Sequence, residues 1–180
     1  MQNVPPRESG SGRVHVVIDT PAGSRNKYKY DEQFATFRIS RVLPRGAVFP
    51  YDFGSIPGTR AEDGDALDVL VLGLPASFPG CLVTVRLIGV LHAEQCDDGN
   101  RIRNDRLIGV LDTAQNPARL LELSALDEEE LRAVEHFFSS YNAFQGREFR
   151  ITGRGGTQQA LRALQSAIES HAAGSAGEKP

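Results

Sequence analysis

The first two-thirds of the chain read with a period of two, the spacing that sends alternate side chains to opposite faces of a strand. From His15 to Ile18 the residues are β-branched and apolar, and Asn26 to Tyr30 alternates polar with aromatic. Asp31 to Gln33 predicts a turn, after which Thr36 to Val42 resumes alternation with Phe37 and Ile39 on one face. These two runs predict a hairpin. From Pro44 to Asp65 the sequence holds Pro44, Gly46, Pro50, Gly54, Pro57, Gly58 and Gly64, which predicts a long ordered loop. Three more strands are expected at Leu67 to Leu72, Leu82 to Leu91 and Ile102 to Leu111. They are separated by Phe78-Pro79-Gly80 and Asp97-Asp98-Gly99. Strands at this density suggest a closed or nearly closed barrel.

The last third changes period. Leu131, Val134, Phe138 and Tyr141 recur at three and four residues, with Phe137 and Phe144 widening the stripe, so an amphipathic helix is expected. Asp127 stands as its N-cap with Glu130 at the capping-box position, and Gly146 as its stop. A second helix is expected from Thr157 to Ala172 on the stripe Leu161, Leu164, Ile168, with 174–180 a flexible tail. Residues 1–12 are polar, carry Pro5 and Pro6, and are expected to be a flexible leader to a single domain over 13–173.

Composition narrows the class. Hydrophobic residues at 40% and charged residues at 24% describe an ordinary globular chain. A net charge of -3 argues against a protein that coats nucleic acid or an anionic membrane. No segment is apolar and long enough to span a bilayer or serve as a secretory signal. Cys81 and Cys96 are far apart, in neither a disulfide framework nor a zinc spacing, which suits a reducing cytoplasm. His15, His92, His136 and His171 share no spacing and are assigned no chemistry.

Chemistry concentrates in Asp63-Gly64-Asp65-Ala66-Leu67-Asp68, three carboxylates in six residues where the loop meets an apolar strand. Hard divalent cations prefer such oxygens. The alternative is an acidic surface turn, since Asp and Gly are the usual turn residues. A calcium EF-hand is excluded: Asp68 stands where its glycine is required, Leu74 where its bidentate glutamate belongs, and no helices flank the loop.

The setting of the cluster resembles the soluble family I inorganic pyrophosphatases. The likeness is carried by Val16-Val17-Ile18-Asp19, Lys27-Tyr28, Arg41, Val48-Phe49-Pro50-Tyr51-Asp52-Phe53-Gly54 and the aspartate motif running into Val69-Leu70-Val71. It extends through Arg106 to His136-Phe137-Phe138 and Tyr141. The resemblance implies an α+β fold, a mainly antiparallel five-stranded OB-like β-barrel with two C-terminal helices packed outside. It implies hydrolysis of inorganic pyrophosphate at several magnesium ions, with manganese an alternative. Asp63 and Asp68 would hold the metal pair and Asp65 would be the general base. Lys27, Arg41, Arg106 and Tyr141 match phosphate-contacting positions, Arg106 standing where lysine is usual; Tyr141 equally suits a core position. Bacterial relatives commonly form hexamers, so a homo-oligomer is expected, with a dimer or trimer as alternatives.

Several positions depart from the family pattern, all in the site. Lys29 stands where an acidic residue is usual and would add positive charge beside Lys27. Phe53 replaces a tyrosine and Asn142 a lysine. Asn104 aligns with a metal-binding aspartate, with Asp105 reachable by a one-residue slip, and Asp19 replaces a glutamate. The remaining metal-binding aspartate falls among Glu94, Asp97 and Asp98, of which Asp98 is taken. These departures motivate a second reading, a weakened relative that binds a phosphate-rich ligand without turnover. A third, a nucleic-acid-binding barrel, would need exposed aromatics interleaved with a basic stripe, whereas the cleft residues are acidic.

Overall fold

The computed structural model describes residues 4–73, 75–97, 99–115 and 118–177. Its strands are β1 (Val14–Thr20), β2 (Asn26–Asp31), β3 (Thr36–Val42), β4 (Asp52–Ser55), β5 (Asp68–Leu72), β6 (Leu82–Asp97), β7 (Asn100–Arg103), β8 (Arg106–Leu111) and β9 (Glu148–Gly156). The helices are α1 (Glu128–Ala143) and α2 (Thr157–Gly177), with a short 3-10 turn at Leu123–Ala125. Neighbouring strands run β1, β4, β5, β8, β6, and β1 pairs back onto β6, so five strands make the expected ring. All its pairings are antiparallel except β5 with β8. The β2–β3 hairpin forms a separate two-stranded sheet.

Alternation along the strands feeds two clusters. Val69 and Val71 of β5 join Val14, Val16 and Ile18 of β1 and Leu164 of α2. Leu70 and Leu72 turn the other way, to Phe138, Val134 and Leu131 of α1. On β6 the parity breaks: Val83, Val85 and Leu87 share the first cluster, then Val90, not Gly89. The β6–β8 register slips between Leu87 and Gly89, and this bulge exchanges the faces. Gly89 is required there, because a Cβ would meet Gly155 O and Leu123 Cβ, both at 2.7 Å.

Five features of the fold differ from expectation. The loop from Pro44 to Asp65 contains β4, which fits between β1 and β5 because Gly54 has no side chain. A Cβ on Gly54 would collide with the Val17 carbonyl and lie 2.8 Å from Val16 Cγ1. Gly54→Ala is therefore expected to cost about 1–3 kcal/mol through overpacking, read as a lower urea midpoint; an unchanged midpoint would show that β1 and β4 separate freely. The strand expected over Ile102 to Leu111 is two, β7 and β8, broken at Asn104-Asp105. β6 continues beyond Leu91 to Asp97, and the unpredicted β9 pairs along it. α2 runs beyond Ala172 to Gly177.

The leader is engaged from Pro5 onward: His15 N donates to Pro6 O at 3.1 Å, and Arg13 Nε bonds Glu8 at 2.6 Å. At α1 the Asp127 carboxylate caps Glu129 N at 2.8 Å and Glu130 N at 3.4 Å, as expected. Glu130 does not close a capping box; its carboxylate accepts from the Tyr51 hydroxyl instead. Burial first, then that bond, push the Tyr51 phenol up to about 12.

Candidate active site

The three aspartates are arranged by one tight turn and the strand it opens. Gly64 adopts φ +87°, in the left-handed region that glycine enters without strain. This lets Gly64 N bond Ala61 O at 3.0 Å and Ala61 N bond Asp65 O at 2.8 Å. Asp63 Oδ1 accepts from Asp65 N at 3.2 Å, an Asx turn that fixes the first carboxylate. Asp68 begins β5 and stays partly exposed while Val69 and Leu70 enter the core.

A cleft of about 220 Å³ lies against this turn, lined by Asp19, Lys27, Lys29, Phe53, Asp65 and Asp68, with Tyr28, Tyr30, Glu32 and Ser55. Lys29 Nζ reaches both oxygens of Asp65, at 3.1 and 3.3 Å. Lys27 Nζ lies over the Phe53 ring at 5.5 Å and the Tyr141 ring at 5.3 Å, so two aromatic faces hold its charge. Arg41 is the cross-strand partner of Lys27 and is exposed.

Two of the carboxylates, Asp19 and Asp63, are short of counter-charge. Burial, then the charge of Asp68, push the Asp19 carboxyl up to about 7, against a hydrogen bond to Ser55 and the opposing charges of Lys27 and Lys29. Desolvation raises Asp63 as well; the Asp65 amide opposes it, and the Asp68 and Asp65 charges add to it. Among the described residues no three His, Cys, Asp or Glu side chains converge tightly enough to form a ready-made cage. The donor set still fits a hard divalent ion, because negative oxygens at Asp19, Asp63, Asp65 and Asp68 repel one another across one edge.

Arg106 closes the far side. It opens β8, and the parallel register Val69 to Leu107 places it one step back, beside Asp68. Its Nη1 lies 2.9 Å from Asp68 Oδ2 and also donates to the Asn104 side chain and to the Asn104 and Asp105 carbonyls. The guanidinium sits 5.6 Å from the Phe138 ring centre and 5.1 Å from that of Phe149, and Nε has no partner.

Asn104 and Asp105, in the break between β7 and β8, make contacts on different sides of the chain. Asn104 shares a face with Arg106, but its oxygen is taken by that arginine and its amide donates to Gln95 at 3.0 Å. Asp105 faces away, binding Arg103 at 2.7 Å, His92 at 3.0 Å and Ala93 N at 3.1 Å. Desolvation works to raise its carboxyl, yet bonds from Arg103, His92 and Ala93 together leave it below the usual range. Asp105 is thus committed to a structural network apart from the cleft, and the metal role expected of it has no geometric basis. Glu94 pairs with Arg101 at 3.4 Å. Asp98 lies outside the described residues.

Tyr141 is a core residue with one face on the site. It is 7% exposed, stacked on Phe137 at 5.9 Å and tilted against Phe49 at 5.5 Å, with Lys27 above it. Asn142 is buried and donates to Phe138 O at 2.8 Å, so it points into α1's own turn. Asp52, also buried, accepts from Ala22 N at 2.7 Å and from Ser77, and so ties two loops together instead of serving the cleft. Ser55, Tyr30 and Glu32 line the cleft without having been singled out. Ser55 could have been found, since it alternates with Phe53 on one strand, but that strand was hidden in the loop.

A small barrel with repelling carboxylates at one cleft, faced by lysines held on aromatic rings, defines a class: an enzyme site for a polyanionic substrate carried with cations. The comparisons with known proteins give the family. The family model described as inorganic pyrophosphatase matches residues 16–172, and the chain belongs to that family. It is 34% identical to the inorganic pyrophosphatase of Thermus thermophilus over 171 residues, covering 93% of this chain and 95% of that one. It is 35% identical to that of Synechocystis over 148 residues, covering 82% and 85%. The crystal structure of the Thermus thermophilus inorganic pyrophosphatase superposes with a TM-score of 0.85 at 33% identity, covering 94% of this chain and 97% of that one.

Proposed function

We propose that this chain hydrolyses inorganic pyrophosphate to two phosphates with magnesium ions. The observation that carries the reading is the repulsion that Asp68 exerts on both Asp19 and Asp63, with Asp19 and Asp68 lining one cleft with Lys27 and Lys29, in a chain of the pyrophosphatase family. Asp63 and Asp68, with Asp19 beside them, would hold divalent ions, which supply charge neutralisation of the diphosphate and acidify the attacking water. Asp65, exposed at the cleft with Lys29 as its ion-pair partner, accepts the proton of that water. Lys27, fixed by the Phe53 and Tyr141 rings, and Arg41 opposite it direct positive charge at phosphoryl oxygens. Arg106 keeps Asp68 in place.

Purified protein with pyrophosphate and excess magnesium is expected to release phosphate. A chelator in excess of the metal is expected to reduce that release to background, and added magnesium to restore it, with manganese as a comparison. Release unaffected by chelation overturns the metal role; tight pyrophosphate binding without release at any metal concentration overturns the catalytic reading. A homo-oligomer follows from the family resemblance and is read by light scattering. Among the described residues no helix is long and apolar enough to cross a membrane, and Cys81 and Cys96 carry free thiols, which supports a cytoplasmic location.

A further inference from the structure

Lys29 does not behave as a stray surface charge. It projects from β2 into the cleft, its Nζ spans both oxygens of Asp65 at 3.1 and 3.3 Å, and its charge also acts on Asp19. Asp68 in turn has a protein cation of its own, Arg106 at 2.9 Å. Two of the cleft's carboxylates thus have side-chain cations of their own, and, separately, no three His, Cys, Asp or Glu side chains among the described residues converge on a point.

We propose that Lys29 is a tethered cation of the active site, taking the place of part of the divalent charge, so that this enzyme binds fewer or weaker metal ions than an acidic residue at position 29 would impose. The inference rests on the reading of the site given under Proposed function, which places divalent ions at these aspartates. The physical argument is one of charge. An ammonium within a few ångströms of a bound divalent ion repels it, and exchanging it for a carboxylate reverses the sign of that term. Among the described residues Lys29 Nζ has no hydrogen-bond partner besides Asp65, and its side chain is 63% exposed. Replacing it thus alters the cleft's charge without opening the core.

The test is equilibrium dialysis with manganese alone, the bound ion counted by its electron paramagnetic resonance, on the wild type, Lys29→Gln and Lys29→Glu. Lys29→Glu is expected to tighten the weakest resolved site by about tenfold or more, or to add one ion per chain, with Lys29→Gln between. Identical stoichiometry and affinity within twofold across the three proteins overturns the proposal. Thermal melts accompany each variant, and a melt within a few degrees of wild type establishes that the counts come from folded protein. Phosphate release by the wild type separates the two readings. If it hydrolyses pyrophosphate but the three proteins bind manganese alike, the role of Lys29 falls and the function stands. If it shows no hydrolysis while Lys29→Glu gains metal, the function falls and the charge role stands.

Discussion

Replacing Asp65 with asparagine is expected to lower pyrophosphate turnover by about a hundred- to ten-thousandfold, with little change in stability. An amide has nearly the shape of a carboxylate but cannot take up a proton from water, so the proton-transfer role is removed with little change of shape. The side chain is 66% exposed, and its ion pair with Lys29 is equally wet, so losing that pair is expected to cost less than about 1 kcal/mol. The turn that places the residue also survives, since its bonds run through the Asp65 backbone and the Asp63 carboxylate. Phosphate release at saturating magnesium, beside a thermal melt, is the measurement. A loss of less than threefold would move the base elsewhere in the cleft.

How much of this site could be read from the chain depends on whether its parts are local. Asp63, Gly64 and Asp65 form a turn whose geometry lies within a few residues, so the motif was visible in sequence. Asp68 was visible as the start of an apolar strand. The β2–β3 hairpin, β5 and α1 were legible because each carries its own period, of two or of about three and a half.

The parts that failed to show are those decided across the fold. β4 was hidden because Pro50, Gly54 and Pro57 read as breakers, whereas Gly54 is there to let β1 approach. β9, with Gly153, Gly155 and Gly156, was lost for the same reason: Gly155 lies against Val90 of the neighbouring strand, where a Cβ would stand 2.8 Å from Val90 Cγ1. The β6 bulge breaks its own alternation. Spacing alone could not divide Asn104 from Asp105, since they lie in the break between β7 and β8, where partners distant in sequence decide which meets Arg106 and which meets His92. Tyr141 suits ligand and core equally in sequence, because the spacing that buries its ring in α1's apolar stripe does not show that the same ring also meets Lys27 of β2. Glu130 had the right spacing for a capping box, but Tyr51, far away in sequence, competed for its carboxylate and won.

Arg106 is the site residue whose loss is expected to damage the fold most. Its side chain is 7% exposed and gives Asp68 a charged partner at 2.9 Å. It also satisfies the carbonyls of Asn104 and Asp105 and fills the space before Phe138 and Phe149. Truncation to alanine removes a buried partner and leaves a void, and breaking such a pair costs about 3–5 kcal/mol. Asp68 is 24% exposed, so water partly replaces the lost charge, which places the expectation near the lower end. Arg106→Met refills the apolar space but still strands Asp68, whereas Arg106→Lys keeps a charge within reach of Asp68 and gives up mainly the planar contact with the two rings. The expected order of urea midpoints is wild type, then lysine, methionine and alanine. In the double-mutant cycle of Arg106→Met with Asp68→Asn, the double variant should lose less stability than the sum of the two single changes, because the unpaired carboxylate is then gone. Strict additivity would show that Arg106 contributes through packing alone, and the Asp68 carboxylate would then be held by the barrel without a charged partner.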